Sequence, residues 1–167
     1  MSVKVQVAAI AGTLPPVRYH WDDDTEILSA EITGGAGNGG LNGSVELEGA
    51  DGSWIMLEVD RGRIRSVEIA VWPEEVRTVS GLAAPGDAAA ASLTVPARPS
   101  QPGIAAMEVS SPVRAERDPA GRTFHFVLGA QRARTVRVGA DVLFDLDRHD
   151  AIAGVWLCNV PLSGSAT

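Results

Sequence analysis

Gly52-Ser53-Trp54-Ile55-Met56-Leu57-Glu58-Val59-Asp60 is the stretch that decides the fold. Ile55, Leu57 and Val59 fall on one side of an extended chain, and Trp54, Met56 and Glu58 on the other. A period of two marks a half-buried strand, because successive side chains point to opposite faces. The stretch also has a twin. Gly139 to Asp147 matches it at an offset of 87 residues, so that Phe144-Asp145-Leu146-Asp147 falls on Leu57-Glu58-Val59-Asp60.

The match extends in both directions. Downstream, Ile152-Ala153-Gly154-Val155 falls on Ile64-Arg65-Ser66-Val67 at an offset of 88, and Pro161 falls on Pro73. Upstream, Pro112-Val113-Arg114 matches Pro16-Val17-Arg18 at an offset of 96, which also brings Asp118 onto Asp22. Asp118-Pro119-Ala120-Gly121 reads as a turn, since proline presets φ and glycine accepts the left-handed region. The larger upstream offset reflects extra residues in the first segment, chiefly the glycine-rich run from Gly34 to Gly40. Two such segments predict an all-β fold, an antiparallel sandwich or barrel of two pseudo-symmetric β-meander repeats.

Alternation recurs along the chain: Val45 and Leu47; Val67, Ile69 and Val71; Phe124, Phe126 and Leu128; Val136 and Val138; Val142, Phe144 and Leu146. The expected organisation is a first repeat over 1–79, an Ala/Pro/Gly-rich connector over 80–103, a second repeat over 104–162 and a loose tail over 163–167. All of it forms one compact domain. Within the connector, Asp87 caps the best helix candidate, a short run to Leu93, while Ser92-Leu93-Thr94-Val95 reads as a strand.

Hydrophobic residues make up 45% of the 167, enough for a packed interior of one domain. The net charge of −7 argues against a nucleic-acid surface, which needs a concentrated basic face. Arg132, Arg134 and Arg137 are read as one solvated strand face. Lys4 is the only lysine, and the Arg, Ala, Gly and Val usage suits a high-GC bacterial genome. Cys158 stands alone, which excludes an internal disulfide. No run has the length of a membrane span or the look of a signal peptide, so the expected setting is cytoplasmic, without membrane contact.

Tyr19-His20-Trp21-Asp22 with Ile27-Leu28, then Glu58-Val59-Asp60-Arg61-Gly62-Arg63-Ile64 with Val67-Glu68-Ile69, follow a recurring pattern. It runs Tyr-Asp, an acidic turn, Asp-x-Asp, a glycine turn and a final Val-x-Ile strand. Asp145-Leu146-Asp147 and Ile152-Ala153-Gly154-Val155 repeat the close, while Ala115-Glu116-Arg117 replaces the aromatic opening. The chain thus resembles a tandem copy of a small bacterial β-hairpin domain family of unknown function. The resemblance implies a β-meander used in tandem and no catalytic residue.

Candidate chemistry is sparse. Asp145 and Asp147 are expected on one strand face about 7 Å apart, with Glu58 and Asp60 in the matching places. His125, flanked by Phe124 and Phe126, is expected at a pocket mouth or in solvent, where a histidine near carboxylates exchanges protons at neutral pH. His125, Asp145, Asp147 and Glu58 are therefore the acid–base candidates. Asp22, Asp23, Asp24 and Glu26 lack the spacing and bend glycine of a calcium loop, and the three histidines lack metal-ligand spacing. No metal or cofactor is expected. Gly34 to Gly43 lacks the helix and lysine of a phosphate loop and reads as a hairpin loop. Cys158 is read as a core residue, and His149 as a turn residue. Trp21, Trp54 and Trp156 are candidates for ligand or partner contact. Two function classes follow. The first is a non-catalytic module that binds another protein or itself through edge strands and tryptophans. The alternative is a small-molecule isomerase, cyclase or lyase with its acid–base cleft between the halves.

Overall fold

The computed structural model describes residues 3–34, 37, 39–97, 105–129 and 131–163, with the side chains of 105–108 left aside. Fourteen strands occur among the described residues, and no helix. They are β1 Gln6–Ala9, β2 Val17–Asp22, β3 Ile27–Ile32, β4 Gly43–Glu48, β5 Trp54–Asp60, β6 Arg63–Val71 and β7 Val76–Thr78. Then follow β8 Ala89–Thr94, β9 Ala105–Ser110, β10 Val113–Arg117, β11 Phe124–Leu128, β12 Arg134–Arg137, β13 Val142–Leu146 and β14 Ile152–Leu157. The strands make one continuous sheet curled into an open half-barrel.

The sheet has two wings. The first runs β9-β4-β5-β6, with β3 and β2 beyond β6; the second runs β12-β13-β14-β11-β10-β7. β8 joins them. It pairs with β6 at Arg63–Thr94 and runs parallel to β12 at Val136–Ala89 and Arg137–Ala90. The segment read as a possible helix from Asp87 is therefore strand β8, and the strand reading of Ser92 to Thr94 holds. Its alanines and serine alternate in burial as Ala91 and Leu93 turn to the core, and pairing with β1 supplies hydrogen bonds that a two-turn helix would have to find in itself. The sheet is mixed and not purely antiparallel, because β10 runs parallel to β7, β12 to β8 and β4 to β9. Those parallel pairings join strands distant in sequence, which local alternation does not reveal.

Pairing within the two wings follows corresponding registers. Val17 opposes Ile32 and Trp21 opposes Leu28; Val113 opposes Leu128 and Arg117 opposes Phe124. Ser29 opposes Glu68, and His125 opposes Trp156. Glu58 opposes Ser66 just before a register slip, and Asp145 opposes Gly154 just before another. These pairs are related by the sequence offsets of 96, 87 and 88.

The inward faces share one apolar cluster. Leu28, Ile55, Leu57, Val67 and Ile69 come from the first wing, and Phe126, Val142, Phe144, Val155 and Leu157 from the second. Trp72 sits at the seam. Its ring stacks on Trp21 at 5.8 Å and meets Phe124 edge-on at 5.3 Å, while its indole N–H donates to Glu26 O. The wings are also laced by exchanged strands. β9 pairs with β4, β7 with β10, and the N-terminal arm bonds the last hairpin through Val5 N–H to Asp150 O and Ile152 N–H to Val3 O.

Candidate functional site

The outer face of the second wing carries the densest polar cluster described. The β10–β11 register puts Glu116 opposite His125, the β11–β14 register puts His125 opposite Trp156, and the β12–β13 register puts Thr135 opposite Asp145. His125 and Asp145 flank β14 from opposite sides, and they meet above Gly154. A Cβ at Gly154 would stand 2.6 Å from Asp145 Oδ2, so the missing side chain leaves the gap through which the two reach each other.

His125 Nε2 lies 2.6 Å from Asp145 Oδ2, and Nδ1 lies 3.1 Å from Glu116 Oε1. Thr135 Oγ1–H donates to Asp145 Oδ1 at 2.6 Å, and Trp156 Nε1–H donates to the same oxygen at 3.1 Å. Arg132 Nη1 lies 3.8 Å from it. The His125 and Trp156 rings stack at 3.8 Å, tilted by only 9°. His125 is 9% exposed and Asp145 2%. Both ring nitrogens face carboxylates, so only the doubly protonated ring donates to both. Burial raises the Asp145 pKa, but the hydrogen bonds of His125 and Thr135, the His125 charge and the Trp156 N–H outweigh it and leave the carboxyl below its ordinary value.

The acid–base candidates are thus split. His125 and Asp145 meet; Asp147 and Glu58 lie elsewhere. Asp147 stands past the end of β13, not on its face, because the strand gives way there to a hairpin turn. Its Oδ1 accepts from the Ala151 N–H, the main cause of a carboxyl pKa below the ordinary value, and from the His149 N–H, which together outweigh slight burial. Glu58 is exposed on the outer face of the first wing, where Ser66 Oγ–H donates to Oε2. It borders a shallow acidic trough of about 850 Å³ with Glu31, Asp60 and Glu68. His125 does not face solvent, because the ring is buried and the Trp156 ring stacks on it. The arginines expected on one face also separate. β12 begins at Arg134, which reaches Asp150, while Arg137 faces the opposite way beside Leu143.

The tryptophans divide too. Trp156 is buried in the His125 cluster, and Trp21 is half-buried, donating through Nε1 to Pro161 O. Trp54 is 40% exposed and lies directly opposite Val71, itself 46% exposed. Cys158, read as a core residue, is instead half-buried just past the end of β14 and outside the apolar cluster; burial above all pushes its thiol pKa up. Glu116, Thr135 and Gly154 were not singled out by the sequence. Glu116 was within reach, since a hairpin closed by Asp118 to Gly121 puts it opposite His125.

A cleft of about 420 Å³ lies between the units. Asp51 and Glu74 line it from the loops of the first wing, and Arg77, Arg114, Glu116 and Val127 from the second wing, where Arg77 pairs beside Glu116. Among the described residues, Glu116 is the one member of the histidine cluster that lines it. Among the described residues no group of His, Cys, Asp and Glu has the geometry to hold a metal ion. Among them, too, no helix is long and apolar enough to cross a membrane. No protein-family model matches the chain, and no curated protein does.

Proposed function

We propose that the protein is a non-catalytic interaction module that binds a partner protein or a second copy of itself. The carrying observation is the Trp54–Val71 pair, two large apolar side chains facing each other across β5 and β6 and both open to solvent. Glu48 lies beside Trp54 on β4, and Met56, Glu46 and Glu68 follow in the next outward row. An apolar spot in an acidic field suits a partner that presents an apolar contact within a basic rim. The histidine cluster supports the same reading, since its groups are engaged with one another and their shielding by Trp156 suits a structural role. In this reading the two wings are tandem repeats, related to the small bacterial β-hairpin family, and the protein works in a bacterial cytoplasm.

One observation favours the enzyme alternative. Glu116 both faces the cleft between the units and touches His125, so a proton accepted there has a path to the buried imidazole. In that reading His125 and Glu116 carry the acid–base work, and Asp145 positions the ring.

Light scattering after size exclusion, together with affinity capture, tests the first reading. A dimer or larger species, or a stable partner, that is lost on Trp54→Glu supports it. A monomer at every concentration with no partner captured, or an association indifferent to Trp54→Glu, overturns it.

A further inference from the structure

The two wings treat their outer faces differently. In the second wing that face is closed. His125, Leu143, Asp145 and Trp156 are all buried, with the imidazole held between Asp145 and Glu116 and stacked on Trp156. In the first wing the places matched by register are open. Ser29 stands where His125 does, Glu68 where Trp156 does, Glu58 where Asp145 does and Met56 where Leu143 does. None of these four is buried, and together they border the trough of about 850 Å³. The first wing thus has carboxylates but lacks the planar N–H donor that the second wing supplies as its own side chain.

Charge is divided in the same way. Residues 17–76 hold thirteen acids and four arginines, whereas residues 113–160 hold six acids and seven arginines. Four carboxylates line the trough, from Glu31, Glu58, Asp60 and Glu68, against one guanidinium, that of Arg65, which Asp60 engages at 3.5 Å. The remaining polar lining is hydroxyl, from Ser29, Ser44 and Ser66. Ser66 Oγ–H donates to Glu58 Oε2 at 3.3 Å and Ser29 Oγ–H to Glu68 Oε1 at 3.4 Å, long contacts that leave acceptor capacity on both carboxylates. Trp54 precedes Met56 by two residues on the same outward side, so the Trp54–Val71 spot begins about 7 Å from the Met56–Glu68 row.

Resting on the module reading above, we propose that this face docks an extended, arginine-bearing segment of another protein. A guanidinium sits between Glu58 and Glu68, and an apolar side chain of the same segment sits on Trp54 and Val71. The guanidinium is planar, permanently charged and donates in a fork that fits paired carboxylates, the part that the His125 ring plays between Asp145 and Glu116. Side chains two residues apart on an extended segment point the same way at about 7 Å, which matches the spacing of the two rows. A second copy is the poorer occupant. A symmetric dimer through this face would set two acidic troughs against each other, and Arg132 and Arg134 of the second wing already lie near Asp145 and Asp150.

The probe is the acetylated, amidated peptide Leu-Ser-Arg-Ser-Arg, titrated calorimetrically into the full chain at low salt. Two control peptides carry citrulline or glutamate in place of both arginines. The arginine peptide should bind about tenfold more tightly than the uncharged citrulline peptide, and the glutamate peptide should not bind. Glu58→Gln with Glu68→Gln should weaken the arginine peptide about tenfold, and Trp54→Ser should weaken it as well. Asp23→Asn with Asp24→Asn removes the same charge from the β2–β3 turn and should leave the affinity unchanged. Equal affinity for the arginine and citrulline peptides, no binding at millimolar concentration, or a loss as large in the turn variant as in the trough variant would each overturn the proposal. A Trp54-dependent dimer seen by light scattering beside any of those results would keep the module reading and sink this one.

Discussion

Gly154 lies directly opposite Asp145, and a single added methyl there would press on the carboxylate that His125 holds from the far side of the same strand. The Cβ would also stand 2.9 Å from Phe126 O, so the backbone of β11 resists moving aside. Gly154→Ala should therefore destabilise the fold by about 1–3 kcal/mol. Urea denaturation measures that loss, and a shifted His125 imidazole resonance would show that the cluster has moved. An unchanged midpoint would mean that the gap over β14 is roomier than the geometry says.

The buried pair should show strong coupling. Removing one member leaves buried polar atoms of the other without their partner, at a cost of about 1–3 kcal/mol, whereas replacing both by apolar groups of similar size removes that penalty. Asp145→Leu alone should therefore be more destabilising than His125→Leu with Asp145→Leu. A double-mutant cycle in urea checks this, and simple additivity would refute it.

Acid should weaken the fold partly through Asp145. Its folded pKa lies below the ordinary value, so its contribution is complete above the unfolded carboxyl pKa of about 3.9 and is lost as pH falls through the lower folded value. Unfolding midpoints measured from pH 7 to pH 2 should drop most steeply below about pH 4. Asp145→Asn should flatten that drop, and an equal slope in wild type and variant would count against the assignment.

Arg61 stands at a φ of 47° in the β5–β6 hairpin, followed by Gly62 at 85°. Two successive positive values are those of a turn that prefers Asn-Gly, since asparagine tolerates this region better than arginine. Arg61→Asn should raise stability by about 0.5–1 kcal/mol, provided the Arg61 N–H keeps its bond to Asn42 Oδ1 at 2.6 Å. A calorimetric melting temperature that falls instead would show that the arginine side chain contributes more than the turn strain costs.

Trp54 should behave unlike the other three tryptophans. Being exposed, its change to serine should alter stability by no more than about 0.5 kcal/mol. Trp72→Ala removes the ring that packs on Trp21, Phe124 and Phe126 and should cost about 3–5 kcal/mol. Thermal unfolding of the two variants side by side distinguishes a surface tryptophan from a seam tryptophan.

Strand positions and facing were legible in the first wing because burial alternates along β3 and β5, whereas β13 and β14 are buried at every position. Ile55, Leu57 and Val59 announced β5 in this way. β8 was harder. Alanine favours helices as an isolated residue, and only pairing with β1 and β12 makes Ala89 to Ala91 extended. The parallel contacts of β7, β8 and β9 had no local signature, since each joins segments far apart along the chain. The His125–Asp145 contact was half visible. Both residues were singled out, but their meeting depends on Gly154, whose alignment with Ser66 gave no hint that a vacancy on the intervening strand was needed. Asp147 misled because its turn begins one residue earlier than alternation suggests.

The exchange of strands between wings has a consequence for how the chain reaches its final shape. Residues 43–48 wait for 105–110 before their outer hydrogen bonds are made, and residues 76–78 wait for 113–117. During synthesis β4 and β7 therefore carry unsatisfied edges until β9 and β10 have been made. Such distant pairings impose slow folding and an interval of vulnerability to aggregation during synthesis.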